Sequence, residues 1–190
     1  MIYKNKDGEY IHVEFSSRKG KFAIPGKIED YECCGMDRED FYLCEELTYV
    51  IIPLGVSLVA DYAFSRCISL TNINIPEGVT QIGDSAFSKC ISLTNVSLPE
   101  SVTRIGHCAF YECTNLTSIN IPEGVTQIGD SAFHNCISLT NINIPESVTN
   151  IGDDAFKGCT NLDIVINNSE SNVELGDNPF KRCKSVTWLK

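Results

Sequence analysis

The side chains best suited to chemistry in this 190-residue chain stand in columns. Cys44, Cys67, Cys90, Cys113, Cys136 and Cys159 recur every 23 residues, and Cys183 continues the column after a slip of one. Glu77, Glu100, Glu123 and Glu146 make a second column. Asp61, Asp84, Asp130, Asp153 and Asp177 make a third, in which His107 takes one place. Thiols and imidazoles could hold metals or act as nucleophiles, and carboxylates could bind calcium or cap helices. Spacing separates these uses. Structural zinc sites need two close ligand pairs; Cys33 and Cys34 are adjacent, and Cys108–Cys113 has no second pair. Calcium prefers six to eight converging oxygens, which glutamates in single file do not supply. His107, Cys108 and Cys113 lack a forced third ligand, because adjacent residues in an extended turn point apart. His12 and His134 read as surface residues. The chain holds no G-x-S-x-G, no phosphate-cradling glycine loop and no H-E-x-x-H. No catalytic residue, metal site or cofactor is therefore assigned. The aspartates read as caps on short helices, accepting backbone N–H groups.

The columns follow from the elements that carry them. Pro53, Pro76, Pro99, Pro122 and Pro145 share the interval of 23, as do Phe41, Phe64, Phe87, Phe110, Phe133 and Phe156. A solenoid needs such regularity, since each coil must offer the same apolar groups at the same height to cover its neighbour. In the unit from Leu70 to Leu93, Leu70, Ile73 and Ile75 have the spacing of a short leucine-rich strand. Pro76 ends that strand because it cannot donate to the ladder. Val79 and Ile82 point inward from a second extended segment. Gly83 breaks it, and Ala86, Phe87 and Cys90 form a short helix. The alanine before each phenylalanine lets neighbouring backbones approach. Residues 71–95 and 117–141 differ at only three positions, which marks duplication of a 46-residue pair of coils.

Stacked coils lie about 4.8 Å apart, so bridging between column cysteines is sterically conceivable. They all point the same way into a core, however, where a free cysteine behaves as a small hydrophobe. They are read as reduced. Glutamates about 5–7 Å apart in water repel by only about 0.6–0.8 kcal/mol per pair, so the acidic column suits a solvated rim. A net charge of −10 argues against nucleic acid or an anionic membrane as partner. No stretch reaches the roughly 18 apolar residues of a membrane helix. The first residues have no signal-peptide pattern, so the sequence as it stands reads as cytoplasmic, or as surface or secreted if an export segment has been trimmed. The sequons at Asn95, Asn115 and Asn167 then read as chance.

The ends depart from the pattern. Residues 1–40 are expected to form an amino-terminal cap: a hairpin of EYIHVEF and KFAI joined through SSRKG, then a stretched first coil. Residues 41–162 form the array. Residues 163–190 form a degenerate coil and a final strand, with Leu162 and Val165 keeping register.

The motif I-P-x-x-V-x-x-I-G-x-x-A-F-x-x-C-x-x-L resembles the BspA-like leucine-rich repeats, the Treponema pectinovorum-type class. The resemblance covers roughly residues 41–162. It implies an α/β repeat solenoid: a right-handed, curved array of 23-residue coils, with parallel strands on the concave face and short helices on the convex face. It also implies protein recognition, often at a cell surface and sometimes in adhesion, and no shared catalytic residues. The strand positions pointing away from the core would make the concave face: Tyr49, Ile51, Asn72, Asn74, Asn95, Ser97, Ser118, Asn120, Asn141, Asn143, Ile164 and Ile166. That is a neutral polar strip with apolar margins, and Tyr49 supplies rigid contact area. The expected function is a non-enzymatic module binding a protein or peptide there, with the glutamate column as a weaker candidate. The alternatives are a surface or secreted adhesin or effector, a self-assembling structural protein stacking end to end, and an enzyme with a pocket near Cys33 and Cys34. A monomer is expected.

Overall fold

The computed structural model describes residues 1–15 and 19–190. The chain winds as a parallel-strand solenoid. One face carries the strands Gly20–Ala23, Leu47–Ile51, Asn72–Asn74, Asn95–Val96, Ser118–Ile119, Asn141–Ile144, Asp163–Ile166 and Ser185–Trp188. A second row, from Leu58–Val59 to Glu174–Leu175, forms one continuous six-stranded parallel sheet. The strands are short because proline or a turn follows each, and they alternate outward polar with inward apolar residues. Leu47, Leu70, Leu93, Leu116, Leu139 and Leu162 open successive coils and are fully buried. Phe41 to Phe156 stack in one file with neighbouring ring centroids 5.1–5.4 Å apart.

The expected helices are absent. Among the described residues the helical segments amount to one 3-10 turn, Glu170–Asn172. Where a helix was expected, alternate N–H groups point along the solenoid. Tyr62, Phe64 and Arg66 donate to the carbonyls of Asp84, Ala86 and Ser88 on the next coil, at 2.7–2.9 Å. The alternating residues Ala63, Ser65 and Cys67 close four-residue turns within their own coil. Tyr62 and Arg66 take left-handed φ values of 57° and 61° to aim their N–H groups outward, and each later coil repeats this. A helix would have kept those bonds within one coil and left the stack without this third ladder.

The aspartates accordingly cap coils, not helices. Asp61 Oδ1 accepts the Asp84 N–H at 2.8 Å, and Asp84 Oδ1 accepts the His107 N–H at 2.9 Å. His107 takes the same place in its coil: its Nδ1 lies 3.0 Å from the Asp130 nitrogen and 3.2 Å from Asp130 Oδ2. Backbones approach closely at the alanines, whose carbonyls accept the phenylalanine N–H of the preceding coil at 2.7–2.8 Å, and again at the glycine of each coil. A Cβ on Gly106 would lie 2.6 Å from Asp84 Oδ1 and 2.8 Å from the Asp84 nitrogen.

Both ends differ from expectation. Tyr10–His12 pairs antiparallel with Ile2–Lys4, whereas Gly20–Ala23 pairs parallel with Leu47–Ile51. EYIHVEF and KFAI are therefore not partners, and residues 16–18 of the proposed connection lie outside the described residues. KFAI is the first rung of the array. The stretched coil after it folds Lys27–Ile28 and Tyr31–Gly35 back into a four-stranded antiparallel sheet, which buries Met1, Tyr3, Cys33 and Met36. At the other end Ile142 aligns with Ile164 and Ile144 with Ile166, a step of 22. The register slides by one because the acid Asp163 belongs outside. Ile164 and Ile166 are then fully buried, and Asp163 and Val165 face outward.

Candidate functional site

The exposed strand face follows from period-2 alternation on a sheet whose other side is core. Asn72, Asn74, Asn95, Ser97, Ser118, Asn120, Asn141 and Asn143 are exposed, side by side on neighbouring coils. Tyr49 and Ile51 lie half-buried at the amino-terminal end of the same face. The Lys21 ammonium sits 4.7 Å from the centre of the Tyr49 ring and occupies one side of it. Ile164 and Ile166, expected on this face, belong to the core, and Asp163 and Val165 stand there instead. The alternation D-I-V-I was the signal for that placement. Hydrogen bonds from Lys184 and Ser185 hold the Asp163 carboxyl below its ordinary range.

The amides differ in what they are free to do. Asn120 donates from Nδ2 to the Leu98 carbonyl and accepts the Leu98 N–H on Oδ1, both at 2.9 Å. It acts as a clamp for the preceding coil. Asn95 and Asn141 lean on the hydroxyls of Thr94 and Thr140. Among the described residues, Asn72, Asn74, Ser97, Ser118 and Asn143 make no side-chain hydrogen bond and face solvent unengaged. The backbone ladder of this face is interrupted twice, between Asn72–Asn74 and Asn95–Val96, and between Ser118–Ile119 and Asn141–Ile144. A groove lies at each interruption. The first, of about 410 Å³, is lined by Asn74, Ser97, Asn120, Leu98, Glu77 and Glu100 among others. The second, of about 350 Å³, includes Asn143, Asp163 and Val165. Glu77, Glu100, Glu123 and Glu146 are exposed along one edge.

The thiols are held for packing. Burial pushes the Cys113 thiol up to about 12, and Cys90 and Cys136 rise for the same reason. All ten cysteines are thiols rather than disulfides. A groove of about 860 Å³ in the amino-terminal cap is lined by Lys4, Tyr31, Cys33 and Cys34 among others. Burial raises the Cys33 thiol above its ordinary range, the reverse of what a nucleophilic cysteine needs. His12 is exposed beside Asp37, at 3.0 Å, and His134 is half-buried against the Tyr111 ring. No group of three His, Cys, Asp or Glu side chains converges among the described residues. No helix among them is long and apolar enough to cross a membrane.

Comparison with known proteins matches six copies of the BspA type leucine rich repeat region to residues 36–163. The crystal structure of a leucine-rich-repeat protein of T. pallidum is similar at 29% identity and a TM-score of 0.86, over 95% of this chain and 84% of that one. A leucine rich cell surface protein from Faecalibacterium prausnitzii is similar at 30% identity and a TM-score of 0.83, over 97% of this chain and 52% of that one. A leucine-rich-repeat protein from Bacteroides ovatus is similar at 26% identity and a TM-score of 0.64, over 91% and 51%. The chain thus spans most of the first structure and about half the length of the other two. A search of the curated proteins finds no significant match.

Proposed function

The chain belongs to the BspA-type leucine-rich-repeat family, and on that premise we propose that it is a non-enzymatic binding module that docks a protein or peptide on its exposed strand face. One observation carries this reading. Successive coils bring unengaged Asn and Ser side chains to the same two positions, over a core that holds the strands rigid. Family members generally act as interaction or surface proteins. Tyr49 and Ile51 supply apolar anchorage at one end, and Val165 replaces Ile164 and Ile166 at the other. The four-stranded antiparallel sheet of the amino-terminal residues and the final strand, Ser185–Trp188, serve to close the array.

A second reading has specific support. The similarity to a cell surface protein from Faecalibacterium prausnitzii favours a surface role, in which the partner is a host or matrix protein. The test is affinity capture from source-organism lysate and from matrix extract, comparing wild type with Asn72→Arg/Asn95→Arg/Asn143→Arg. Asn120 is spared because its amide is structural. A partner lost by the folded variant supports the strand face, and its source separates the two readings. A partner retained in full moves the site elsewhere.

A further inference from the structure

We infer that the partner of this face is basic: an extended segment whose arginine or lysine side chain seats in the groove lined by Asn74, Glu77, Ser97 and Glu100. The inference rests on the strand-face reading and names the chemistry of what binds there.

Charge distribution carries the argument. Between residues 41 and 156 the chain has only three cations, Arg66, Lys89 and Arg104. Arg66 and Lys89 lie on the turns, and Arg104 lies in the second row of strands. None stands on the strand face or at its acidic edge. Lys21 covers Tyr49 at one end, while Lys184 and Lys190 pair with Asp163 and Glu146, both at 2.5 Å, at the other. The middle of the face is left with a rim of carboxylates that the chain itself does not neutralise. Glu77, Glu100 and Glu123 have no ion-pair partner among the described residues.

Geometry selects one place along that rim. At the first interruption of the ladder the groove joins the polar strip to the edge, so that Asn74 and Ser97 share its lining with Glu77 and Glu100. The two glutamates are one coil apart, and coils repeat at about the 5.4 Å separating Phe64 from Phe87. A guanidinium spans two such carboxylates and donates its remaining N–H groups to amide or hydroxyl oxygens. The second groove has the already paired Asp163 in that role and no rim glutamate in its lining.

The test uses a fluorescent synthetic peptide alternating arginine and threonine, a glutamate–threonine counterpart, and fluorescence anisotropy on the whole chain. Wild type is expected to bind the basic peptide and not the acidic one. Glu77→Gln/Glu100→Gln is expected to weaken binding about tenfold or more, and Glu123→Gln/Glu146→Gln to stay within about twofold. Ser97→Trp, which fills the groove from an exposed position, is expected to abolish binding; Asn74→Trp replaces it if it does not fold. Absence of binding by wild type overturns the inference, as does equal loss in both glutamate pairs, which marks diffuse attraction. Loss with Ser97→Trp but not with Glu77→Gln/Glu100→Gln overturns the basic chemistry and leaves the strand-face reading standing. Loss with the glutamates but not with Ser97→Trp puts the site on the rim and overturns both.

Discussion

Cys113 donates its S–H to the carbonyl oxygen of Phe87, one coil back, at 3.1 Å. The same oxygen receives the Cys90 N–H at 3.1 Å. The two bonds occupy both lone pairs of a carbonyl that water does not reach. Cys67, Cys90, Cys136, Cys159 and Cys183 make the same contact, at 3.0–3.2 Å. The cysteine column is thus a hydrogen-bond ladder as well as a packing file. Cys113→Val, which fills the site but removes the donor, should cost about 1–3 kcal/mol, the penalty of an under-satisfied buried group. Urea unfolding of the two proteins measures it, and an unchanged midpoint would show that the S–H bond is idle.

The same column sets an alkaline limit. The Cys113 thiol stands at about 12 in the folded chain, against an ordinary 9.0. Below pH 9 the thiol is neutral folded or unfolded, and stability is unaffected. Between 9 and 12 the unfolded chain releases the proton and the folded chain keeps it, so stability falls as pH rises. Thermal unfolding followed from pH 7 to pH 11 should show a decline beginning near 9, shallower in Cys113→Val. Ellman's reagent at pH 8 should label the half-exposed Cys34 and spare Cys113 in the native protein.

Gly106 needs its missing side chain. A Cβ there meets the Asp84 side chain and backbone of the preceding coil at 2.6 and 2.8 Å. Gly106→Ala should destabilise by about 1–3 kcal/mol through forced separation of two coils. Gly8, with nothing within 4 Å but a φ of +88°, is a control in which strain acts without crowding. Calorimetry of both variants separates the two effects.

The register at the carboxyl-terminal end predicts a sharp contrast between neighbours. Ile164→Ala removes a fully buried side chain and should cost about 2–5 kcal/mol. Val165→Ala, on the outward side, should stay within about 0.5 kcal/mol. Reversed magnitudes would restore the register counted from Leu162.

Asn120→Ala should release the Leu98 N–H and carbonyl together and cost about 1–2 kcal/mol. Asn143→Ala, whose amide is unengaged, should cost nothing measurable. Hydrogen exchange at the Leu98 amide reads the first effect directly, with faster exchange expected.

Much of the fold was legible because burial is periodic. Leu70, Ile73, Phe87 and Cys90 each repeat in later coils at a fixed interval, and a repeated apolar position has one explanation in a stacked array. The outward positions from Asn72 to Asn143 followed from the same alternation. Ile164 and Ile166 did not, because one residue is missing between Leu162 and the strand, and a count from Leu162 carries the old interval across the gap. The helices failed for another reason. Ala86-Phe87 after Asp84 suits a helix start locally, but the N–H groups of Tyr62, Phe64 and Arg66 find partners only on the next coil.

The sequence by itself determined the 23-residue coil, the buried columns, the acidic edge and the family. Each is a property of one residue type at one repeated position, set by whether that side chain prefers core or water. The tertiary structure alone decided that the aspartates and His107 cap neighbouring coils, that the Phe87 oxygen is shared by Cys90 and Cys113, and that Asn120 serves Leu98 and not solvent. It also opened the groove between Asn74 and Ser97. Those relationships join residues about 23 positions apart whose distance is set by how closely the coils pack, a quantity no single coil contains.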